Sequence, residues 1–237
     1  MRVALVGPDL EENLSLRYLA AALTAAGHLP VIVRFETAAD LERARREAAD
    51  ADLVGLSMCY QCRATEFLAL GATLKQERPQ RPIVAGGHFA SCAAAELLEH
   101  HPALDAVAIH EGEQTLVELA SLPAFTPEAL AAIRGLAYRD AAGIQRTAPR
   151  PIVDDLDTLA WPDRSGPARM IVNVPTAYLM GSRGCASSCD YCAITTLHRL
   201  APGKRFRQRA PEAIAEEMAW LYHERGVRQF VFHDDNF

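Results

Sequence analysis

In the first 125 residues, short apolar runs rich in β-branched side chains alternate with helix-length segments, and this alternation limits the possible folds more than any single motif. Residues 3–6, 30–35, 53–56, 83–85 and 106–109 read as buried strands, and 14–26, 38–49, 64–75, 93–99 and 113–119 read as the helices that follow them. Parallel strands cannot be joined by a tight turn; they need a crossover, and a helix supplies one. Five strands and five helices in regular order therefore predict an α/β fold, a five-stranded doubly wound parallel sheet with helices on both faces and right-handed connections. In such sheets ligands sit at the carboxyl ends of the strands. Those ends read Gly7-Pro8, Ser57-Met58, Gly86-Gly87-His88 and His110-Glu111-Gly112-Glu113. Glycine lets backbone approach a ligand, and a small hydroxyl can bond one without filling the space. The row suits a large, flat or extended molecule, although the same glycines would also serve plain tight turns.

After residue 125 the pattern changes. Residues 133–138, a turn at 140–143 and 144–147 read as a hairpin, and 149–167, rich in Pro and Asp, reads as an ordered linker. The chain thus divides into a domain at 1–125, a hairpin and linker at 126–168, and a second unit at 169–237. In that unit a strand at 178–180 runs into a cysteine-rich loop. A helix at 211–225 starts on Pro211, stops before Gly226 and turns Glu216 and Glu217 outward; a strand follows at 229–232. The basic run Lys204-Arg205-Phe206-Arg207-Gln208-Arg209 reads as a solvated loop ahead of the helix.

The loop Gly184-Cys185-Ala186-Ser187-Ser188-Cys189-Asp190-Tyr191-Cys192 carries three of the six cysteines. Soft thiolates select iron–sulfur clusters, zinc or copper(I). A [4Fe–4S] cluster usually takes four cysteines, so three would leave one iron open to a reacting group. Zinc sites more often pair C-x2-C units with a second half at a distance. Cys59 and Cys62 have that spacing but lie in the other domain, and with Cys92 they read as thiols without a metal. The C-x3-C-x2-C loop, with aromatic Tyr191 before its last cysteine and a strand ahead of it, resembles the radical S-adenosylmethionine enzymes. That resemblance implies Cys185, Cys189 and Cys192 as ligands of a [4Fe–4S] cluster and an incomplete (β/α) barrel from residue 169 onward. Phe232-His233-Asp234-Asp235-Asn236-Phe237 resembles the family's second-strand edge. By that likeness Asp234, Asp235 and Asn236, with Tyr191, approach bound S-adenosylmethionine, where a carboxylate can pair with its ammonium group. For the two aspartates a simple strand-end turn is the alternative.

The first domain is similar to the cobalamin-binding half of cobalamin-dependent radical enzymes, a group that includes class B methyltransferases and the anaerobic magnesium-protoporphyrin ester cyclase. The likeness rests on Val54-Gly55-Leu56-Ser57, Ala85-Gly86-Gly87-His88, Glu111-Gly112-Glu113 and the linker from Asp155-Leu156-Asp157 to Trp161-Pro162-Asp163. It implies cobalamin contacts from Ser57, Gly86, Gly87, His88, Glu111, Gly112 and Glu113. Two departures stand out. The D-x-H-x-x-G motif is replaced by Pro8-Asp9-Leu10-Glu11, which leaves the lower cobalt ligand unassigned, and His110 occupies a position where relatives tend to carry glycine. A histidine there reads as a packed side chain in preference to a cofactor contact.

The family likeness implies three cofactors, the [4Fe–4S] cluster, S-adenosylmethionine and cobalamin, with a reductant such as flavodoxin or ferredoxin and a small-molecule or peptide substrate. It implies reductive cleavage of S-adenosylmethionine, hydrogen abstraction by a 5′-deoxyadenosyl radical and methyl transfer from methylcobalamin. Ring formation without net methylation, or a non-catalytic cobalamin-binding module, are the competing outcomes. The barrel of that family needs further strands, so the chain reads as a truncated or split form that binds cobalamin more readily than it catalyses. A net charge of −6 and a pI near 5.8 argue against a nucleic-acid partner held by charge. No apolar run approaches the ~18 residues that span a bilayer, and the opening MRVALVGPDL reads as a first strand and not a signal peptide, which places the chain in the cytoplasm.

Overall fold

The structure is a computed structural model and describes residues 1–236; Phe237, the last residue of the strand-edge motif, lies outside them. The first domain runs β1 (Arg2–Gly7), α1 (Leu14–Ala25), β2 (Leu29–Arg34), α2 (Leu41–Glu47), β3 (Leu53–Ser57), α3 (Ala64–Glu77), β4 (Ile83–Gly86), α4 (His88–Cys92), α5 (Ala94–His100), β5 (Ala106–Ala108) and α6 (Glu113–Ala120). There follow α7 (Pro127–Ala131) and the hairpin β6 (Leu136–Asp140) and β7 (Gly143–Arg146). The sheet order is β2-β1-β3-β4-β5-β6-β7, with β1 to β5 parallel as the alternation predicts. The hairpin does not stand apart. It pairs antiparallel onto β5, Ala106 opposite Tyr138, and makes the sheet seven-stranded. β5 has only three residues, and β6 covers what would otherwise be its open edge.

Side chains alternate across β1: Val3 and Leu5 enter one apolar layer with Leu16, Leu23, Leu116 and Leu119, while Ala4 and Val6 enter the other with Leu70, Leu74 and Leu98. A sheet apolar on both faces must be covered on both faces, so α1 and α6 take one side and α2, α3 and α5 the other. α1 begins where Asn13 Oδ1 accepts the Leu16 N–H at 3.3 Å.

The second unit contains β8 (Arg169–Ile171), β9 (Val174–Leu179), β10 (Ser182–Arg183), α8 (Ala193–Leu197), β11 (Arg207–Gln208), α9 (Pro211–Glu224) and β12 (Gln229–Phe232). β9 and β12 are parallel neighbours joined through α9, a βαβ unit, and β8 runs antiparallel along the other side of β9. The β8–β9 turn places Val172 at φ 47° and Asn173 at φ 62°, the two positive values of a type I′ hairpin.

Two sequence expectations fail here. Glu216 is exposed, but Glu217 faces inward at 1% exposure and receives Arg164 Nη2 at 2.8 Å and Arg209 Nη1 at 2.6 Å. The basic run is likewise not a solvated loop throughout. Lys204 and Arg205 are exposed, whereas Arg207 and Arg209 are buried, because the segment pairs as β11 and alternates its side chains with period two. No helix among the described residues is long and apolar enough to cross a membrane.

Candidate cofactor site

A cavity of about 660 Å³ opens at the carboxyl ends of β1, β3, β4 and β5, and the second unit forms its opposite wall. Ser57, Gly86, Gly87, His88, Glu111, Gly112 and Glu113 all line it. Ser57 Oγ lies 3.7 Å from the Cys59 thiol, so Cys59 also belongs to this wall, whereas Cys62 and Cys92 are exposed. Gly87 sits at φ 98°, and a Cβ there would lie 3.0 Å from Cys59 Sγ and 3.1 Å from the Met58 carbonyl. Only glycine satisfies that backbone angle and that proximity. Gly87→Ala is expected to lower stability by about 1–3 kcal/mol, the scale of one forced backbone conformation, and to reduce corrinoid retention. Urea denaturation and a desalted spectrum of the variant read the two effects.

His110 is one of the residues of the cavity wall, with its ring nitrogens buried. It holds φ 70°, and its N–H is accepted by Ser91 Oγ at 3.0 Å. Neither ring nitrogen has a hydrogen-bond partner among the described residues, and both are shielded from solvent. Burial, working against the pull of Glu111, drives the imidazole pKa down to about 4, so the ring stays neutral. A neutral imidazole offers one donor and one acceptor, and shielded polar atoms without partners are rare in a finished site.

The carboxylates of Glu111 and Glu113 do not point freely into the cavity. Arg183 contacts both, at 3.4 Å and 2.6 Å, Arg207 lies 2.8 Å from Glu111, and the Val153 N–H donates to Glu111 at 2.8 Å. Burial would raise the Glu111 pKa, but Arg183, the Val153 N–H and Arg207 together hold it below the usual carboxylate range. Tyr18 lies against Arg183, ring centroid 5.1 Å from the guanidinium carbon; burial and then Glu217 push its hydroxyl up to about 12.

The cysteine loop leaves β10 beside this group. His198 Nε2 accepts the Cys185 N–H at 3.3 Å, Ser187 N–H points to Cys185 Sγ at 3.4 Å, and Cys192 N–H bonds Cys189 O at 3.1 Å. Cys185 and Cys192 are half-buried and Cys189 is exposed. Among the described residues no three His, Cys, Asp or Glu side chains converge at metal-binding distance, so the loop does not close its thiols on a point. Three thiols on one short loop are nonetheless the donor chemistry of a soft-metal cluster. Tyr191 is 93% exposed and does not reach the cavity. Asp234 accepts the Ser182 hydroxyl at 2.5 Å and the Gly181 N–H at 3.3 Å, tying the end of β9 to the end of β12. Asp235 lines the cavity, and Asn236 is exposed with its carbonyl 3.4 Å from Ser182 Oγ.

Sequence reasoning missed the ionic seam between the two units. Asp9 pairs with Arg17 at 3.0 Å and with Arg169. Glu12 pairs with Arg164 at 2.7 Å and accepts the Tyr178 N–H at 2.9 Å, and Arg164 continues to Glu217. The loop after β1, which lacks the cobalt-ligating histidine, thus directs Asp9 to the second unit. The available signal was the concentration of acids at Asp9, Glu11 and Glu12 against arginines at 164, 169 and 183.

Fold and site together define an α/β ligand-binding domain whose strand-end cavity is closed by a unit bearing a thiol loop. Residues 3–120 match the B12 binding domain family. An uncharacterized methyltransferase of Pyrococcus horikoshii is 30% identical over 158 residues, 65% of this chain and 33% of that protein. The anaerobic magnesium-protoporphyrin IX monomethyl ester cyclase of Synechocystis is 30% identical over 186 residues, 74% of this chain and 33% of the cyclase. Among solved structures, the cobalamin-dependent S-adenosylmethionine radical enzyme OxsB with aqua-cobalamin bound superposes with a TM-score of 0.69 at 19% identity, over 100% of this chain and 34% of that one. Residues 3–120 therefore form a B12-binding domain, and the chain spans about a third of the length of these relatives.

Proposed function

We propose that the chain supplies the cobalamin-binding domain and the cluster loop of a radical enzyme that methylates an unactivated carbon. The observation that carries this reading is the cavity bounded on one side by the glycine-marked strand ends and on the other by the unit that bears Cys185, Cys189 and Cys192. Within it, residues 1–125 are the cobalamin domain, 126–168 its hairpin and linker, and 169–237 the opening of the barrel. Ser57, Gly86, Gly87, His88 and Gly112 would hold the corrin, with Glu111 and Glu113 at its rim. The three cysteines would ligate a [4Fe–4S] cluster, and Asp235 and Asn236 would border S-adenosylmethionine, with Asp234 fixing the strand end beneath them. Bound together, these groups supply one-electron cleavage of S-adenosylmethionine and a transferable methyl group. The protein's part would be to hold them and keep bulk water out.

A cytoplasmic setting, a flavodoxin or ferredoxin as reductant and a small-molecule or peptide substrate accompany this reading. Arg207 and Arg209 face inward and are not offered to a nucleic-acid phosphate. A second reading, ring formation without net methylation, is favoured by the cyclase relative. Product mass separates the two, since only methylation adds a methylene. The founding experiment is anaerobic reconstitution with iron, sulfide and hydroxocobalamin, followed by one ultraviolet–visible spectrum after desalting. Corrin bands should persist together with an iron–sulfur shoulder, and the shoulder should vanish when Cys185, Cys189 and Cys192 are all alanine. A shoulder without corrin bands would remove cobalamin from the mechanism.

A further inference from the structure

Arg183 ends β10 two positions before Cys185, yet its side chain reaches the first domain. There it lies between Glu113 and Glu111, which flank Gly112 at the cavity wall. Directly opposite on β11, Arg207 pairs with the same Glu111. All four side chains are at most 15% exposed. On the far side of Arg183 the chain turns through Gly184 and hands the Cys185 N–H to His198. One guanidinium therefore joins the cavity wall to the root of the cysteine loop.

Charge-assisted bonds in a shielded site are stronger than their exposed counterparts, and losing one partner leaves the others buried and unpaired. The planar fork of arginine can engage two carboxylates at once in a fixed geometry, which a lysine ammonium does less well. The loop root consequently cannot shift without disturbing the segment that carries Glu111, Gly112 and Glu113. We infer that Arg183 is a positioning residue that couples the cofactor cavity to the cysteine loop, with Glu111 and Glu113 serving as its sockets and not as corrinoid ligands. The identity of the occupant rests on the cobalamin reading above; the clamp itself does not.

Hydrogen–deuterium exchange of the full chain tests this with and without hydroxocobalamin. In the unliganded protein, Arg183→Gln and, separately, Glu113→Gln should speed exchange at the Cys185, Ser187 and Cys192 amides about tenfold, the change expected from losing one strong shielded contact. The amides of β1 and β3 should keep their wild-type rates. Arg183→Lys should restore part of the protection. Hydroxocobalamin should slow the loop amides further in the wild type, and in Arg183→Gln it should leave them unchanged even at saturation, since coupling between sites must pass through a physical connection. Wild-type loop rates in both glutamine variants would overturn the clamp. Retained hydroxocobalamin that leaves the wild-type loop untouched would overturn the coupling. A wild-type chain that retains no corrinoid would defeat the cobalamin reading and the coupling together, with the unliganded comparison still deciding whether the clamp exists.

Discussion

Glu217→Ala is expected to lower stability by about 3–5 kcal/mol, the cost of breaking a buried ion pair from one side. Glu217 is 1% exposed and stands between Arg164 and Arg209, whose side chains are 6% and 4% exposed. Its removal takes from each of two shielded guanidiniums its bond to the carboxylate they share. Arg164 still has Glu12 and the Tyr178 carbonyl, and Arg209 still has Asp157 at 3.6 Å. These partners lessen the loss without cancelling it, because neither replaces a direct bond to Glu217. Glu217→Gln keeps an acceptor without the charge and should fall between wild type and alanine. Guanidinium chloride denaturation of the three proteins measures the series. A loss below about 1 kcal/mol for alanine, the scale of an exposed pair, would mean that water reaches this group in solution.

Gly184→Ala should disrupt the cysteine loop more than any neighbouring substitution. Gly184 holds φ 80°, and an added Cβ would stand 1.9 Å from the Arg205 carbonyl oxygen and 2.7 Å from His198 Cε1. A side chain can swing aside, but a backbone carbonyl in the segment leading into β11 moves only if the segment moves. Left-handed strain and overpacking together suggest a loss of about 2–5 kcal/mol. The same displacement would pull His198 from the Cys185 N–H and separate β10 from β11. After reconstitution, iron and sulfide content should drop with thermal stability. Wild-type cluster content in a folded Gly184→Ala protein would show that the loop tolerates a different path.

Much of the sheet was legible because its signals are local. A buried parallel strand announces itself in four or five consecutive residues, and the helix after it in the next dozen. The cysteine loop is local in the same way, with three thiols within eight residues. The misreadings have a common cause, which is partners distant in sequence. Glu217 looked like an outward helix residue because Arg164 lies 53 positions away, and Asp9 meets Arg169 across 160. No periodicity records such a pairing. Arg207 and Arg209 shared a run with exposed Lys204 and Arg205, so composition averaged over what two residues of strand separate. β8 escaped notice because its hairpin turns on Val172-Asn173, without the glycine that usually marks a type I′ turn. α4 follows Gly87 so closely that the turn and the helix read as one loop. That the His110 ring nitrogens are buried without partners among the described residues is visible only in three dimensions.

The ionic seam also bears on how such proteins can be recombined. Asp9, Glu12, Glu111 and Glu113 come from the first domain, and the arginines that neutralise them at positions 164, 169, 183 and 207 come from the linker and the second unit. Grafting the first domain onto a foreign barrel without those arginines would strand Glu111 and Glu113 and leave Asp9 and Glu12 to share Arg17 alone. Two halves that look modular in outline are thus interlocked by charge, and exchange between relatives should succeed only when both sides of the seam travel together.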